Sequence, residues 1–278
     1  MNARSAPKVL VTRPAHDAVS WVSALQQAGF VAEALPLISI AALSGAEHDL
    51  ALQQAWANLA DYSACMFVSG NAVEAFFRPQ NATRPMLPPK LRFMAPGPGT
   101  VAALLAAGVA LSQIDAPPED AAQFDSESLW RVVGKRNWQG LRVLLLRGVT
   151  VAAHSDSNQA APGRDWLVRQ LLDVGASVDQ LLVYARRAPV LNALELQRVR
   201  IAAQDGSVWL MSSSEALANL LALDGLQDLN WQGARAIATH ERIAAALRAA
   251  GWGVVVASRP ALIDIVDALG WLESPPNE

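Results

Sequence analysis

The chain has 278 residues, 52% hydrophobic and 17% charged, with a formal net charge of −3 at pH 7. That length suits two domains of ordinary size with a core each, and the charge argues against a general nucleic-acid binder, which would usually show a basic surface. A single cysteine, Cys65, excludes an intrachain disulfide framework.

Lys8–Thr12 is a short apolar, β-branched run and predicts a buried strand. A helix follows over 15–28, closed by Gly29. Residues 31–40 are extended, and Pro36 makes them an edge strand or a strand leaving its sheet. The pattern then predicts a helix over 48–59, a strand over 64–68, a short helix over 71–77 and a loop over 81–90. Next come a strand over 91–95, a helix over 100–107, a loop at Pro117 and Pro118, and a helix over 126–133 capped by Ser126. Residues 142–146 form a strand and 149–163 a long loop. A helix over 164–174 and an extended stretch over 177–187 follow. The remainder alternates: helix 193–204, strand 208–211, helix 213–223, strand 235–238, helix 241–250, strand 254–257, helix 261–272 and a polar tail.

The chain also repeats itself. Ser69–Phe77 (SGNAVEAFF) resembles Ser212–Leu220 (SSSEALANL), and Ala95–Gly108 resembles Ala238–Gly251, both at an offset of 143 residues. Val9–Arg13 recurs as Val143–Arg147 at an offset of 134, and Gly29 as Gly175 at 146, so the second copy carries 12 extra residues. Alternating strands and helices in two copies predict two similar parallel-sheet α/β units, each sheet covered on both faces, with a cleft between them. Ligands of such sheets lie beyond the carboxyl ends of the strands. Arg13, Ser69, Ala95–Thr100, Arg147, Ser212–Ser214 and Ala238–His240 each follow directly on an apolar strand in this reading.

Several of these sites open helices with small polar residues: Ser69, Gly70 and Asn71; Gly97 to Thr100; Ser212, Ser213 and Ser214. Free N–H groups at a helix start bind carboxylate or phosphate, and the same residue types serve as plain caps. Gly97–Ala102 half-resembles a dinucleotide loop, but its counterpart after Ala238 has no glycines, and no phosphate loop ending in Gly-Lys-Ser or Gly-Lys-Thr occurs. Thr239 and His240 open a helix near the same edge; His240 reads as a cap, a solvent-facing residue or a ligand contact. Four scattered histidines and one cysteine give no zinc set. Arg13 and Arg147 are equivalent in the repeat and call for an anion or an acidic side chain. Cys65 reads as a buried small hydrophobe and Tyr184 as an aromatic on a strand surface. No apolar run reaches the roughly 18 residues of a membrane helix, and Met1–Pro7 has no apolar signal core. The expectation is a soluble, cytoplasmic protein in a reducing compartment, without membrane or nucleic-acid partners.

The order of these segments resembles the uroporphyrinogen-III synthase family. The resemblance is carried by Val9–Pro14 (VLVTRP), Gly29, Leu35–Ile38, Phe67–Val73 (FVSGNAV), Ala95–Thr100, Ser126–Leu129, Val143–Gly148 (VLLLRG), Gly163–Leu167, Gly175, Val183–Arg187 (VYARR) and Ser212–Ser214. It spans nearly the whole chain. It implies a bilobed fold: residues 1–37 with 186–278 in one α/β lobe and 38–185 in the other, joined by a two-stranded linker crossing near 35–40 and 181–188. It implies a monomeric, cofactor-free, metal-free lyase of tetrapyrrole biosynthesis. Linear hydroxymethylbilane, handed over by hydroxymethylbilane synthase, would lose water and close through a spiro intermediate to uroporphyrinogen III with its last ring inverted. Tyr184 would be the catalytic group at the departing hydroxyl. The helix starts at Ser69–Asn71, Thr100 and Ser212–Ser214 would bind acetate and propionate groups, with charge added by Arg164. Departures from the family pattern are the turn at Ala238–Glu241 and the lengthened 149–163 loop. Two other readings stand beside it: a non-catalytic bilobed module for a small anionic ligand, and a nucleotide-dependent enzyme using Gly97–Thr100.

Overall fold

A computed structural model describes residues 8–78, 86–151 and 162–273. Parts of the 81–90 and 149–163 loops, and the 274–278 tail, lie outside these residues. The chain divides into two compact units, one built from the chain up to Ser39 and from Ala188 onward, the other from Ile40–Arg187.

The first unit holds a five-stranded sheet. Its strands are β1 (Val9–Val11), β2 (Ala32–Ala34), β9 (Val208–Met211), β10 (Arg235–Ala238) and β11 (Val254–Ala257), in the order β11-β10-β9-β1-β2. The second holds β3 (Ser39–Ala42), β4 (Ala64–Phe67), β5 (Arg92–Met94), β6 (Ile114–Asp115), β7 (Arg142–Thr150) and β8 (Ser177–Arg187), in the order β3-β8-β7-β4-β5-β6. β1 pairs in parallel with β2 and β9, and β7 in parallel with β8 and β4. The helices are α1 (Ala15–Gln27), α2 (Ala46–Ala57), α3 (Gly70–Phe77), α4 (Pro98–Ala106), α5 (Ser126–Val133), α6 (Pro162–Asp173), α7 (Ala193–Ala202), α8 (Ser214–Leu221), α9 (Glu241–Ala249) and α10 (Leu262–Glu273).

The strands are continuous apolar runs because a parallel sheet is covered on both faces. Val9, Leu10 and Val11 are fully buried, as are Val208–Met211. In the first unit Trp209, Trp231 and Trp252 pack together, the last two stacked at 4.1 Å. In the second, Phe67, Phe76, Phe77 and Phe93 form one aromatic cluster with Trp56 stacked on Phe76 at 4.5 Å. Gly29 and Gly175, at φ +92° and +84°, close α1 and α6 in the left-handed region that glycine enters without strain.

The repeat is visible in the topology, with a twist of connectivity. The order β11-β10-β9-β1-β2 matches β6-β5-β4-β7-β8 strand for strand. The first sheet therefore takes two strands from one sequence copy and three from the other, and the second takes two and four, β3 being the addition at its edge.

The structure corrects several expectations. Ser69 and Ser213, not Ser69 and Ser212, are the equivalent residues. Each is the N-cap of its helix and accepts a hydrogen bond from the backbone N–H three residues on, Ala72 or Ala216. That block is thus offset by one residue more than the sequence match suggests. Asp125 rather than Ser126 caps α5, its carboxylate accepting from Ser128 N at 2.8 Å. β6 is unforeseen from the sequence, because two residues show no periodicity. β7 continues through Thr150, so Arg147 lies inside a strand and Val149 and Thr150 belong to the sheet rather than to a loop.

Candidate functional site

The carboxyl ends of the strands in the second unit bring several of the expected residues together. β4 ends at Phe67, and Ser69 turns the chain into α3. The Ser69 side chain accepts from Ala72 N at 3.3 Å, leaving Gly70 and Asn71, both half-buried, at the open helix start. The same Ser69 Oγ lies 3.1 Å from the Tyr184 hydroxyl. Tyr184 is only 2% exposed. It is not a surface aromatic; the long β8 carries it into the interior beside the start of α3. The start of α4 lies alongside: a Cβ at Gly70 would sit 3.5 Å from the Gly99 carbonyl oxygen. Gly97 caps α4 with Pro98 at its first position. A Cβ at Gly97 would press on Phe124 at 3.3 Å, so close packing accounts for that glycine without a dinucleotide. Thr100 is buried.

Arg147 is 8% exposed, and its guanidinium donates to Gln180 Oε1 at 3.3 Å. Arg186, on the continuation of β8, donates to Thr150 Oγ1 at 2.9 Å. Sequence reasoning passed over Arg186; its mark is its place two residues beyond Tyr184. Arg164 lies in α6, with its side chain outside the described residues.

In the first unit the equivalent edge is built on caps. Ser213 accepts from Glu215 N and Ala216 N. Ser212 precedes it, half-buried, and the buried Ser214 hydroxyl finds no hydrogen-bond partner. His240 caps α9, its Nδ1 accepting from Arg242 N at 3.0 Å. Thr239 is buried. Arg13 stacks its guanidinium over Trp21 at 4.5 Å, and its buried Nε makes no hydrogen bond. Burial lowers the pKa of this guanidinium and Asp17 works the other way; it stays a cation. Burial likewise raises the Asp17 carboxyl, against the pull of Arg13 and His16.

Other features of the second unit are structural. Cys65 is fully buried, and desolvation pushes its thiol up, which leaves it inert. A groove of about 380 Å³ at the amino-terminal edge of the sheet is walled by Tyr62, Lys90, Arg92, Arg136 and Trp138. Its two arginines converge on buried Asp115, at 2.5 Å each. Burial opposes ionisation of Asp115, and the hydrogen bonds from Arg136 and Arg92 outweigh it, holding the carboxyl below its usual range. Tyr62, raised to about 12 by burial and by its hydrogen bond to Asp179, lies on the same edge. The groove is on the side of the sheet away from Ser69.

Among the described residues no helix is long and apolar enough to cross a membrane. The model of the family described as uroporphyrinogen-III synthase HemD matches residues 19–267. In structure the chain is similar to a triple-substituted uroporphyrinogen III synthase from the extreme thermophile Thermus thermophilus, at 17% identity and TM-score 0.56, covering 96% of this chain and 99% of that one. It is also similar to the uroporphyrinogen-III synthetase of Helicobacter pylori 26695, at 15% identity and TM-score 0.49, with 96% and 99% covered.

Proposed function

The chain belongs to the uroporphyrinogen-III synthase family, lyases that cyclise hydroxymethylbilane, and from that premise we propose that it forms uroporphyrinogen III with Tyr184 at the reacting end of the substrate. The observation that carries this reading is the Tyr184 hydroxyl held 3.1 Å from Ser69 Oγ, at a helix start on the carboxyl edge of a parallel sheet.

The phenol donates its proton to the terminal hydroxyl, which leaves as water. The electrophilic azafulvene is attacked by the last pyrrole ring through its substituted carbon, and the spiro intermediate opens and recloses with that ring inverted. The ring carbon that finally closes the macrocycle gives up a proton, restoring the phenol. Free bilane closes unaided without inversion, so the enzyme's main task is orientation, with proton transfer in support. The N–H groups at the starts of α3, α4 and α8 suit acetate and propionate side chains. Ser69 and Ser213 spend their hydroxyls as caps, so this binding falls to the backbone. Arg13 and Arg147 supply positive charge at their own sheet edges.

The test is a coupled assay. Hydroxymethylbilane is generated in place, the protein is added, and the oxidised products are separated into type I and type III isomers. A predominance of type III is expected; type I alone from folded protein would overturn the assignment.

A further inference from the structure

The ladder between β7 and β8 is regular from Arg142 opposite Ser177 to Arg147 opposite Leu182. It then steps, so that Gly148 faces Tyr184 and Val183 is left without a partner. This is a one-residue bulge, a device that re-aims side chains beside functional sites. Side chains alternate along a strand, and Leu144, Leu146 and Gly148 share a face of β7. A regular ladder would set Val183 beside Gly148. The step sets Tyr184 there instead and sends its ring across the neighbouring strand.

The ring lies where a side chain at 148 would be. A Cβ built on Gly148 would come 2.9 Å from the Tyr184 ring carbon Cδ2 and closer still to Cε2 and Cζ. Gly148 has no positive φ, so its backbone does not demand glycine. The demand comes from the ring. Tyr184 is 2% exposed in a close-packed interior, so the ring cannot step aside without moving its hydroxyl from Ser69.

We propose that Gly148, with the bulge at Val183, is a positioning residue that sets the Tyr184 hydroxyl at its working place by leaving the ring the space of one missing methyl group. This rests on the reading of Tyr184 as the proton donor. Gly148 itself touches no reacting atom.

The experiment is a cycle of four proteins: wild type, Gly148→Ala, Tyr184→Phe and the double variant, each measured for kcat and KM of type III formation and for melting temperature. Gly148→Ala is expected to lower kcat by about tenfold to a hundredfold, the cost of misplacing a catalytic group by an ångström or less, with KM nearly unchanged. In the Tyr184→Phe background the same change should cost no more than about twofold, because no hydroxyl remains to be misplaced. A Tyr184→Phe enzyme as fast as wild type removes the premise. A slow Tyr184→Phe with a fast Gly148→Ala overturns the positioning role and leaves the premise standing. Equal losses from Gly148→Ala in both backgrounds also overturn it, since the damage would then bypass the phenol. Should Gly148→Ala fail to fold, Gly148→Ala/Tyr184→Ala decides. With the ring removed it should melt where Tyr184→Ala does, and a persistent loss of stability refutes the steric argument.

Discussion

The strand pairs β1–β2 and β7–β8 are the same piece of the repeat, and they end differently. β1 and β2 are three residues each, whereas β7 runs for nine and β8 for eleven. In each pair the first strand, β1 or β7, carries a buried apolar run, and its partner lies parallel beside it. At the position where β7 has Gly148, the first copy has Pro14, which lacks an N–H and opens α1. Counted from the closing glycines Gly29 and Gly175, Leu182 corresponds to Pro36 and Tyr184 to Ile38. Two prolines stop one ladder. A glycine and a bulge let the other continue and deliver a phenol to a helix start. Duplicated units thus keep a common sheet order, while single residues at the strand ends decide which copy places a phenol at a helix start.

The sharpest way to break this comparison is to change the two equivalent positions. Tyr184→Phe should slow type III formation by about 10²-fold or more, within the range for loss of a general acid. Ile38→Val, at the matching buried place, should leave the rate within about twofold and cost about 1 kcal/mol in urea denaturation. Equal rates for the two variants would erase the functional difference between the strand pairs.

The cores test whether the difference stays local. Trp209 is fully buried against Trp231 and Trp252, and Phe67 is fully buried in the other unit. Trp209→Ala and Phe67→Ala should each cost about 3–5 kcal/mol. A much smaller loss in one unit would show a core that collapses readily around the cavity.

The edge strands differ in charge. Asp115 in β6 holds Arg92 and Arg136, while Val256 takes the corresponding place in β11. Asp115→Asn should cost about 2–3 kcal/mol, less than a fully buried pair would, because the guanidiniums left behind are about a third exposed. The carboxyl titrates below its ordinary value of about 3.9, so its contribution is full above that pH and fades as pH falls through the lowered pKa. Melting curves of wild type and Asp115→Asn should therefore converge in acid. A gap that stays constant down to about pH 2 would contradict the ion-pair account.

The smallest contrast is between the caps. Ser69→Ala and Ser213→Ala should each cost about 1 kcal/mol. Ser69→Ala should slow the reaction more, since Ser69 alone of the two bonds Tyr184. A larger rate loss for Ser213→Ala would point the chemistry to the other sheet.

Much of this was legible in the residues. Apolar runs of four or five with turn formers at each end located β4, β9 and β11. Glycine after the last turn marked the ends of α1 and α6, because only glycine accepts the left-handed conformation there without strain. The serines and glycines at the helix starts followed from the need to satisfy free N–H groups. These are local constraints, and the sequence by itself determined them.

What only the tertiary structure decided is non-local. Val9 pairs with Val208, and Thr12 donates to the Leu210 carbonyl at 2.7 Å, across 198 residues of chain. No window of sequence shows that a sheet combines two strands of one copy with three of the other. Nor does it show that Arg147 stays within a strand, that the phenol of Tyr184 is buried, or that Gly148 is small because a ring lies against it. A side chain's neighbours across a ladder are set by register, and one unpaired residue at Val183 resets that register for everything beyond it.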